Sequence, residues 1–267
     1  GQGGIMPNLQ ANPFNYLLIP ALFICEGVAT YRLTRKLKPE LLYAHWFTPQ
    51  AVITRIVGAT THTPFVFTTH ASDVSVWHKI PLIGAPIVRW GVRKARAFTA
   101  VSERSMDKLA AFFNQQEWTT LMKRSKIIPM GVDLAPAQRQ AATKPNSILF
   151  VGRVAEKKGL QYLLPAFKEL LSDIPDATLT VAGDGPRLAS LKQQASKLGL
   201  TDKHISFPGY TTGAPKQELI TSHEVYVVPS IIARDGDAEG LPVTLMEGLA
   251  AGKICIATNE SGADNVL

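Results

Sequence analysis

The sequence predicts an α/β protein built from two doubly wound, Rossmann-like domains that face each other across a cleft. Short β-rich runs of four to six residues alternate with longer helical patterns, the signature of parallel sheets flanked by helices. The 267 residues suffice for two cores. One polar, proline-containing stretch, 131–146, breaks the alternation near the middle, where the balance of charge also changes sign.

In chain order, Phe14–Cys25 is apolar but interrupted by Asn15 and Pro20. At that length it is too short to span a bilayer, and it is expected to be a buried amphipathic helix, with an interfacial position as the alternative. Strands are expected at Leu41–His45, Pro64–Thr69, Ala97–Val101 and Lys126–Pro129. Gly131–Asn146, with Pro136 and Pro145, reads as a linker, which places the domains at 1–140 and 141–267. The second half offers strands at Ser147–Val151, Ala177–Ala182, His204–Phe207, Glu224–Val228 and Ile254–Ala257. A helix is expected over Gly159–Ser172, with Pro165 kinking it or shifting its start. Two more are expected over Pro186–Leu198 and Leu241–Ala251, each followed by a glycine, Gly199 and Gly252. The first domain holds only four candidate strands and the chain stops soon after the last one, so it reads as a fragment truncated at both ends.

Hydrophobic residues make up 46% of the chain and charged residues 18%, which excludes a disordered or low-complexity protein. The net charge of +7 is uneven: residues 1–140 carry 16 Lys+Arg against 7 Asp+Glu, and residues 141–267 carry 12 against 14. A basic first half suits a polyanion or an anionic membrane surface, and equally a solvated basic face with no partner. No zinc spacing, RNP-like aromatic motif or dense basic helix supports nucleic acid as the partner. Cys25 and Cys255 lie in apolar runs far apart, as buried reduced thiols do, so no disulfide framework is expected and the compartment reads as reducing. The first residues, Gly-Gln-Gly-Gly, show no charged leader before an apolar core, so no signal peptide is expected.

Four motifs carry chemistry. Gly152-Arg153-Val154-Ala155-Glu156-Lys157-Lys158-Gly159 follows a strand and opens a helix. Its glycine lets a ligand approach the backbone, and Arg153 and Lys158 add cations beside a helix N-terminus, a plausible diphosphate cradle; solvent-facing basic residues are the ordinary alternative. Gly183-Asp184-Gly185-Pro186 is a tight turn at a strand end, with a structural role favoured over a binding one. The most specific motif runs from Pro229-Ser230 through Asp235-Gly236-Asp237-Ala238-Glu239-Gly240-Leu241-Pro242-Val243 to Glu247. Glu239 is expected in a loop and Glu247 about two turns into the helix from Leu241. A carboxylate accepts hydroxyl hydrogen bonds, and the Gly240–Val243 amides can meet a phosphate. Val243, Leu245, Met246 and Leu249 make that helix apolar, so Glu247 needs a partner. In the first half, Thr68-Thr69-His70-Ala71-Ser72-Asp73-Val74 follows a strand, and His70 and Asp73 are expected to face the cleft. They could form a basic dyad or merely stabilise a turn, as could His45 at the end of another strand.

Together these motifs resemble the retaining family 4 glycosyltransferases of the GT-B fold. The resemblance rests on His70 in THASDV, the Gly152-to-Gly159 loop, GDGP at 183–186, Phe207-Pro208-Gly209-Tyr210, and the Glu239 to Glu247 element within PS…EGLP…EGLAAG. The DGDAEGLP and YAHWFTPQ segments are similar to bacterial enzymes of exopolysaccharide and colanic-acid-type assembly. The resemblance implies a hexosyltransferase that takes a sugar from a nucleotide-diphospho-sugar, commonly UDP-linked, and passes it to a saccharide or lipid-linked acceptor with retention. It implies that Arg153 and Lys158 neutralise the departing diphosphate, that Glu247 holds the ribose and that Glu239 contacts the donor sugar. The Gly240, Leu241, Pro242 and Val243 backbone would meet phosphate and sugar. Gly152 and Gly183 would line the donor, and Gly209, Tyr210 and Thr211 would flank the base. His70 would reach the donor sugar from the first domain, where the acceptor also sits. No metal or other cofactor is implied. The implied place is the cytoplasm, at most peripheral to the inner membrane face, with a peripheral contact to anionic lipid and no nucleic acid. Met130, Ala71 and Asn265 stand where the family usually has Asn, Gly and Glu, and its N-terminal glycine-rich loop and C-terminal closing helix have no counterpart here. A nucleotide-sugar-binding fragment without turnover is the alternative; a sugar-nucleotide epimerase of the same layout is more distant.

Overall fold

The computed structural model describes residues 12–70, 72–80, 82–132, 143–263 and 266. The chain divides into two compact units, Gly1–Pro129 and Met130–Leu267. Residues 133–142, Ala71 and Asn265 lie outside the described residues, so the middle of the expected linker and two of the three family departures do too. The linker is shorter at its C-terminal end than expected, because Lys144–Asn146 already belong to a strand.

The first unit contains a four-stranded parallel sheet, β1 (Leu42–His45), β2 (Phe65–Thr69), β3 (Ala97–Ala100) and β4 (Ser125–Ile127), in the order β1-β2-β3-β4. The strands run in one direction across the sheet without reversing. Phe67 and Phe98 stack at 5.6 Å, and Phe47 meets Phe67 edge-on at 5.4 Å. All three are buried, and such aromatic pairs add about 0.5–1.5 kcal/mol beyond the area they bury. The longer helices of the unit are α1 (Ile19–Leu37), α2 (Val52–Thr61), α3 (Gly84–Lys94), α4 (Glu103–Ala110) and α5 (Gln115–Met122).

α1 overturns an expectation. With the short 3-10 helix Pro13–Leu18 before it, it forms a continuous helical stretch, Phe14–Leu37, that is long and apolar enough to cross a membrane. Only 6% of its most apolar window is buried, so it is not the buried amphipathic helix that the sequence suggested. Pro20 does not interrupt it because it falls in the first turn, where its missing N–H has no helical partner to lose. Phe23 reaches the core and Gly27 lies against Ile53 of α2, while Phe14, Leu17, Ile24, Leu33 and Leu37 stay exposed. Cys25 rides on the same helix and is exposed rather than buried; Cys255 is half-buried.

The second unit contains a five-stranded parallel sheet ordered β7-β6-β5-β8-β9: β5 (Lys144–Val151), β6 (Thr178–Ala182), β7 (Ile205–Gly209), β8 (His223–Val228) and β9 (Ile254–Ala257). The order reverses at β5, as in a doubly wound sheet. Both faces are covered: Phe150 packs with Leu164, Phe167 and Leu191 on one side, and Leu149 and Val151 pack with Tyr226 and Leu245 on the other. That is why β5 reads as a continuous apolar run rather than an alternating one. α6 (Leu160–Asp173) is unbroken by Pro165. Proline removes the N–H that Gln161's carbonyl would accept, and Gln194 of α7 (Leu188–Lys197) donates to that carbonyl instead, at 2.8 Å. α8 (Gly213–Ser222) and α9 (Val243–Ala250) follow.

Candidate functional site

In an open α/β sheet, ligands bind beyond the C-terminal ends of the strands where the strand order reverses. Here the strands flanking that point are β5 and β8, and the loops leaving them are the two longest motifs of the sequence, Gly152–Gly159 and Pro229–Gly240. The backbone ties them together: Ile231 N–H donates to Lys157 O at 2.8 Å. Gly159 makes that approach feasible. Its φ is 68°, and a Cβ there would sit 1.7 Å from the Pro229 carbonyl oxygen. The Gly183-to-Pro186 turn is stitched to the same loop, with Val154 N–H donating to Asp184 O at 2.9 Å. A Cβ on Gly183 would lie 1.8 Å from Gly152 O, so close backbone packing accounts for that glycine.

The charged side chains form one network. Lys158 Nζ lies 3.3 Å and Lys157 Nζ 3.5 Å from the same Glu239 oxygen, and Lys157 also reaches Asp237 at 3.1 Å. Burial pushes the Glu239 carboxyl up, but the Lys158 and Lys157 ammonium groups outweigh it and hold the group below the usual carboxylate range. Burial likewise pushes Lys157 down, and the Glu239 and Asp237 carboxylates more than reverse this. Arg153 is half-buried in the same loop, and its guanidinium makes no ion pair among the described residues. The loop after β5 thus holds three cations, Arg153, Lys157 and Lys158, of which the two lysines are paired with the carboxylates of Asp237 and Glu239. An arriving dianion can take Lys158 while Lys157 still neutralises Glu239. The Lys157 pairing is absent from the sequence reading; its signal was the acidic Asp237, two residues before Glu239 in a glycine-containing loop.

Glu247 sits five residues into α9, one turn in rather than two, because the helix begins at Val243. Pro242 is its N-cap and has no N–H, so it offers a phosphate nothing from its nitrogen; Gly240, Leu241 and Val243 retain amides there. The side chains of Leu241 and Pro242 are buried. The partner Glu247 needs is Lys216 of α8, whose Nζ donates to Oε1 at 2.6 Å. Nothing in the spacing of Lys216 and Glu247, 31 residues apart on separate helices, announces that pair. Glu247 Oε2 is buried with no donor among the described residues, an unfavourable state for a carboxylate oxygen unless a ligand hydroxyl completes it. Thr211 Oγ1 is buried and unpaired as well, beside exposed Tyr210 at the end of β7, where Gly209 closes the strand.

His70 belongs to the first unit, at the C-terminal end of β2, and is not paired with Asp73 through its ring. Asp73 is buried and accepts from Phe47 N at 2.5 Å, and from Thr69 Oγ1 and His70 N at 3.0 Å each. Three donors on one carboxylate make it a turn-builder, and the dyad reading falls. Burial pushes the Asp73 carboxyl upward against those hydrogen bonds. The His70 ring faces His45 instead, Nε2 to Nδ1 at 3.4 Å. Burial lowers the His70 pKa, with Asp73 opposing and His45 adding to the shift. The described residues hold no group of three or more His, Cys, Asp or Glu side chains with metal-site geometry.

Comparison with known proteins gives the same reading of both halves. Residues 132–267 match the family model described as Glycosyl transferases group 1, and residues 7–136 match Glycosyltransferase Family 4. The chain is 29% identical over 196 residues to the 2-deoxystreptamine glucosyltransferase of Streptomyces kanamyceticus, covering 67% of this chain and 49% of that protein. It is 26% identical over 260 residues to the GDP-mannose-dependent alpha-(1-6)-phosphatidylinositol monomannoside mannosyltransferase of Mycolicibacterium smegmatis, covering 91% of this chain and 65% of that one. Among solved structures, Anabaena Alr3699/HepE in complex with UDP superposes with a TM-score of 0.72 at 19% identity, covering 90% of this chain and 65% of that chain. These relatives show the GT-B fold. The chain spans one half to two thirds of the length of these relatives.

Proposed function

Since the chain belongs to the Glycosyl transferases group 1 family, we propose that its second unit binds a nucleotide-diphospho-sugar, UDP-linked, and that the protein transfers the sugar with retention of anomeric configuration to a saccharide or lipid-linked acceptor in polysaccharide or glycolipid assembly. The observation that carries this reading is Glu247 Oε2, buried and lacking a donor among the described residues although Lys216 holds the other oxygen. A ribose hydroxyl is the donor it lacks. On this reading residues 1–140 serve the acceptor and residues 141–267 the donor.

The chain's own groups divide the work as follows. Arg153 and Lys158 hold the diphosphate and stabilise the negative charge that grows on it as the glycosidic C–O bond breaks. They replace a divalent ion, so neither metal nor cofactor is required. Glu239, held ionised by Lys157 once Lys158 turns to the phosphate, accepts hydrogen bonds from the donor sugar. The acceptor hydroxyl attacks from the face the diphosphate leaves, and its proton passes to a diphosphate oxygen, so no side chain acts as base. Gly152, Gly183, Gly209, Tyr210 and Thr211 line the nucleotide. Incubation with UDP- and GDP-linked sugars, with the anomer of the product read by NMR, tests the reaction. An inverted product overturns the retention assignment.

One further observation bears on place. The exposed apolar helix Phe14–Leu37 ends in Arg32, Arg35, Lys36 and Lys38, a pattern suited to peripheral contact with an anionic bilayer at the cytoplasmic face. Co-sedimentation with phosphatidylserine vesicles, abolished at high salt, is the expected result.

A further inference from the structure

The C-terminal end of β1 carries a residue in an unfavourable conformation. Trp46 has φ 79° and ψ 134°, a region that bulky side chains rarely enter. Along β1 the burial alternates, with Tyr43 and His45 exposed and Ala44 buried, so regular alternation would turn Trp46 toward the core. The positive φ breaks the alternation. Trp46 emerges on the exposed side, and Phe47, the next residue, takes the core position with no exposure at all. The conformation is held from both sides: Trp46 N–H donates to Thr68 O at 2.9 Å, Trp46 O accepts from Ala51 N at 3.2 Å, and Asp73 fixes Phe47 N. Strain maintained in this way, by surroundings that determine it several times over, is characteristic of functional sites.

What the strain achieves is a continuous ring surface. The Trp46 indole stacks on the His70 imidazole at 5.3 Å and 18°. His45 lies 5.6 Å from His70, and Tyr43 lies 4.5 Å from His45. Trp46 is 44% and Tyr43 58% exposed, and the indole N–H has no partner among the described residues. The Tyr43 hydroxyl is fixed by Thr68 at 2.7 Å, which keeps its ring in place. An exposed aromatic surface with nitrogen donors and acceptors at its rim matches a pyranose: C–H groups lie against the rings and hydroxyls meet the imidazoles and indole N–H.

We propose that Trp46, with His45 and Tyr43, forms the subsite for the acceptor saccharide on the first unit, its strained backbone serving to lay the indole against His70. This rests on the glycosyltransferase reading above. It commits to a sugar ring as occupant; a nucleobase or a lipid surface are outcomes that overturn it.

The test is fluorine NMR of the protein labelled with fluorotryptophan, whose four tryptophans, Trp46, Trp77, Trp90 and Trp118, give separate signals. The Trp46 signal is assigned by its loss in Trp46→Phe. The probes are the methyl α-glycopyranosides of glucose, galactose and mannose, with sorbitol as the open-chain control. The expected result is a saturable shift of the Trp46 signal alone with at least one glycoside and none with sorbitol. Observed by saturation transfer from the protein to the glycoside, binding should weaken roughly two- to tenfold in Trp46→Ala and less in Trp46→Phe, and it should also weaken in His45→Ala. No shift with any glycoside overturns the proposal, as does a Trp46 shift produced by UDP or by phosphatidylserine vesicles instead. Calorimetric UDP binding to the same sample separates the two levels. UDP bound with no glycoside response removes the subsite and leaves the donor reading standing; no UDP bound removes the donor reading itself. If Trp46→Ala melts early, Trp46→Phe and His45→Ala still decide the question.

Discussion

Lys158 Nζ stands 3.3 Å from Glu239 Oε1, joining the loop after β5 to the loop after β8 across the reversal of the sheet. Lys157 reaches the same oxygen at 3.5 Å and also holds Asp237. On the proposed reading, the cation assigned to the diphosphate and the carboxylate assigned to the sugar are therefore paired with each other, and Lys157 is the reserve partner that lets them separate.

Arg153→Ala should weaken UDP binding and, in turnover, cost about 2–4 kcal/mol of barrier, because a preorganised cation on the leaving group is lost. Calorimetry and initial rates check both. Lys157→Met should leave UDP affinity within about threefold of wild type yet raise the Glu239 pKa, since one of its two ammonium neighbours is gone. A pH profile of sugar transfer whose acid limb moves upward is the expected signature.

Gly159→Ala should destabilise the second unit by more than about 1 kcal/mol. Its φ of 68° disfavours a side chain, and the added Cβ would meet Pro229 O at 1.7 Å. Because the same change pushes the two loops apart, UDP binding should fall along with the urea midpoint.

Asp73→Ala should destabilise the first unit by about 1–3 kcal/mol for each buried donor it strands: Phe47 N–H and the Thr69 hydroxyl lose their acceptor. Thermal melting measures this. If Asp73 worked with His70 as a base instead, the variant would lose turnover while keeping its stability.

Stability should fall as pH drops from ~7.5 to ~5.5. His70 and His223 both have pKa values lowered from 6.5, mainly by burial. A lowered folded pKa means the unfolded chain binds the proton more readily. The stabilisation is therefore complete above the unfolded value and is lost as pH falls through the folded values. Melting temperatures across this range, repeated with His70→Gln, should show a shallower dependence in the variant.

Much of this was legible in the sequence. The nine strand segments stand out because buried parallel strands read as short apolar runs, and the glycines around 152–159 and 183–185 mark where backbones pack against one another. Lys158 and Glu239 stand out in the sequence because they lie in loops that follow apolar strand runs, and Glu247 because it is a carboxylate within an otherwise apolar helix. What stayed hidden depends on tertiary contact. Lys216 meets Glu247 only through the packing of two helices. Pro165 is tolerated only because Gln194 arrives from another helix. Asp73's true role is visible only once Phe47 N is seen to point at it. The long apolar α1 looked buried because hydropathy reports composition and not which neighbours are present.

The measurement that bears most directly on the account is calorimetric titration of UDP into the chain, with and without EDTA, and into Arg153→Ala and Glu247→Ala. The account predicts that UDP binds the wild-type chain equally well with EDTA, and that each variant loses about tenfold or more in affinity, the range expected when a charged hydrogen-bonding partner is removed. A folded wild-type chain that binds no UDP, or variants that bind it as tightly as wild type, would contradict it.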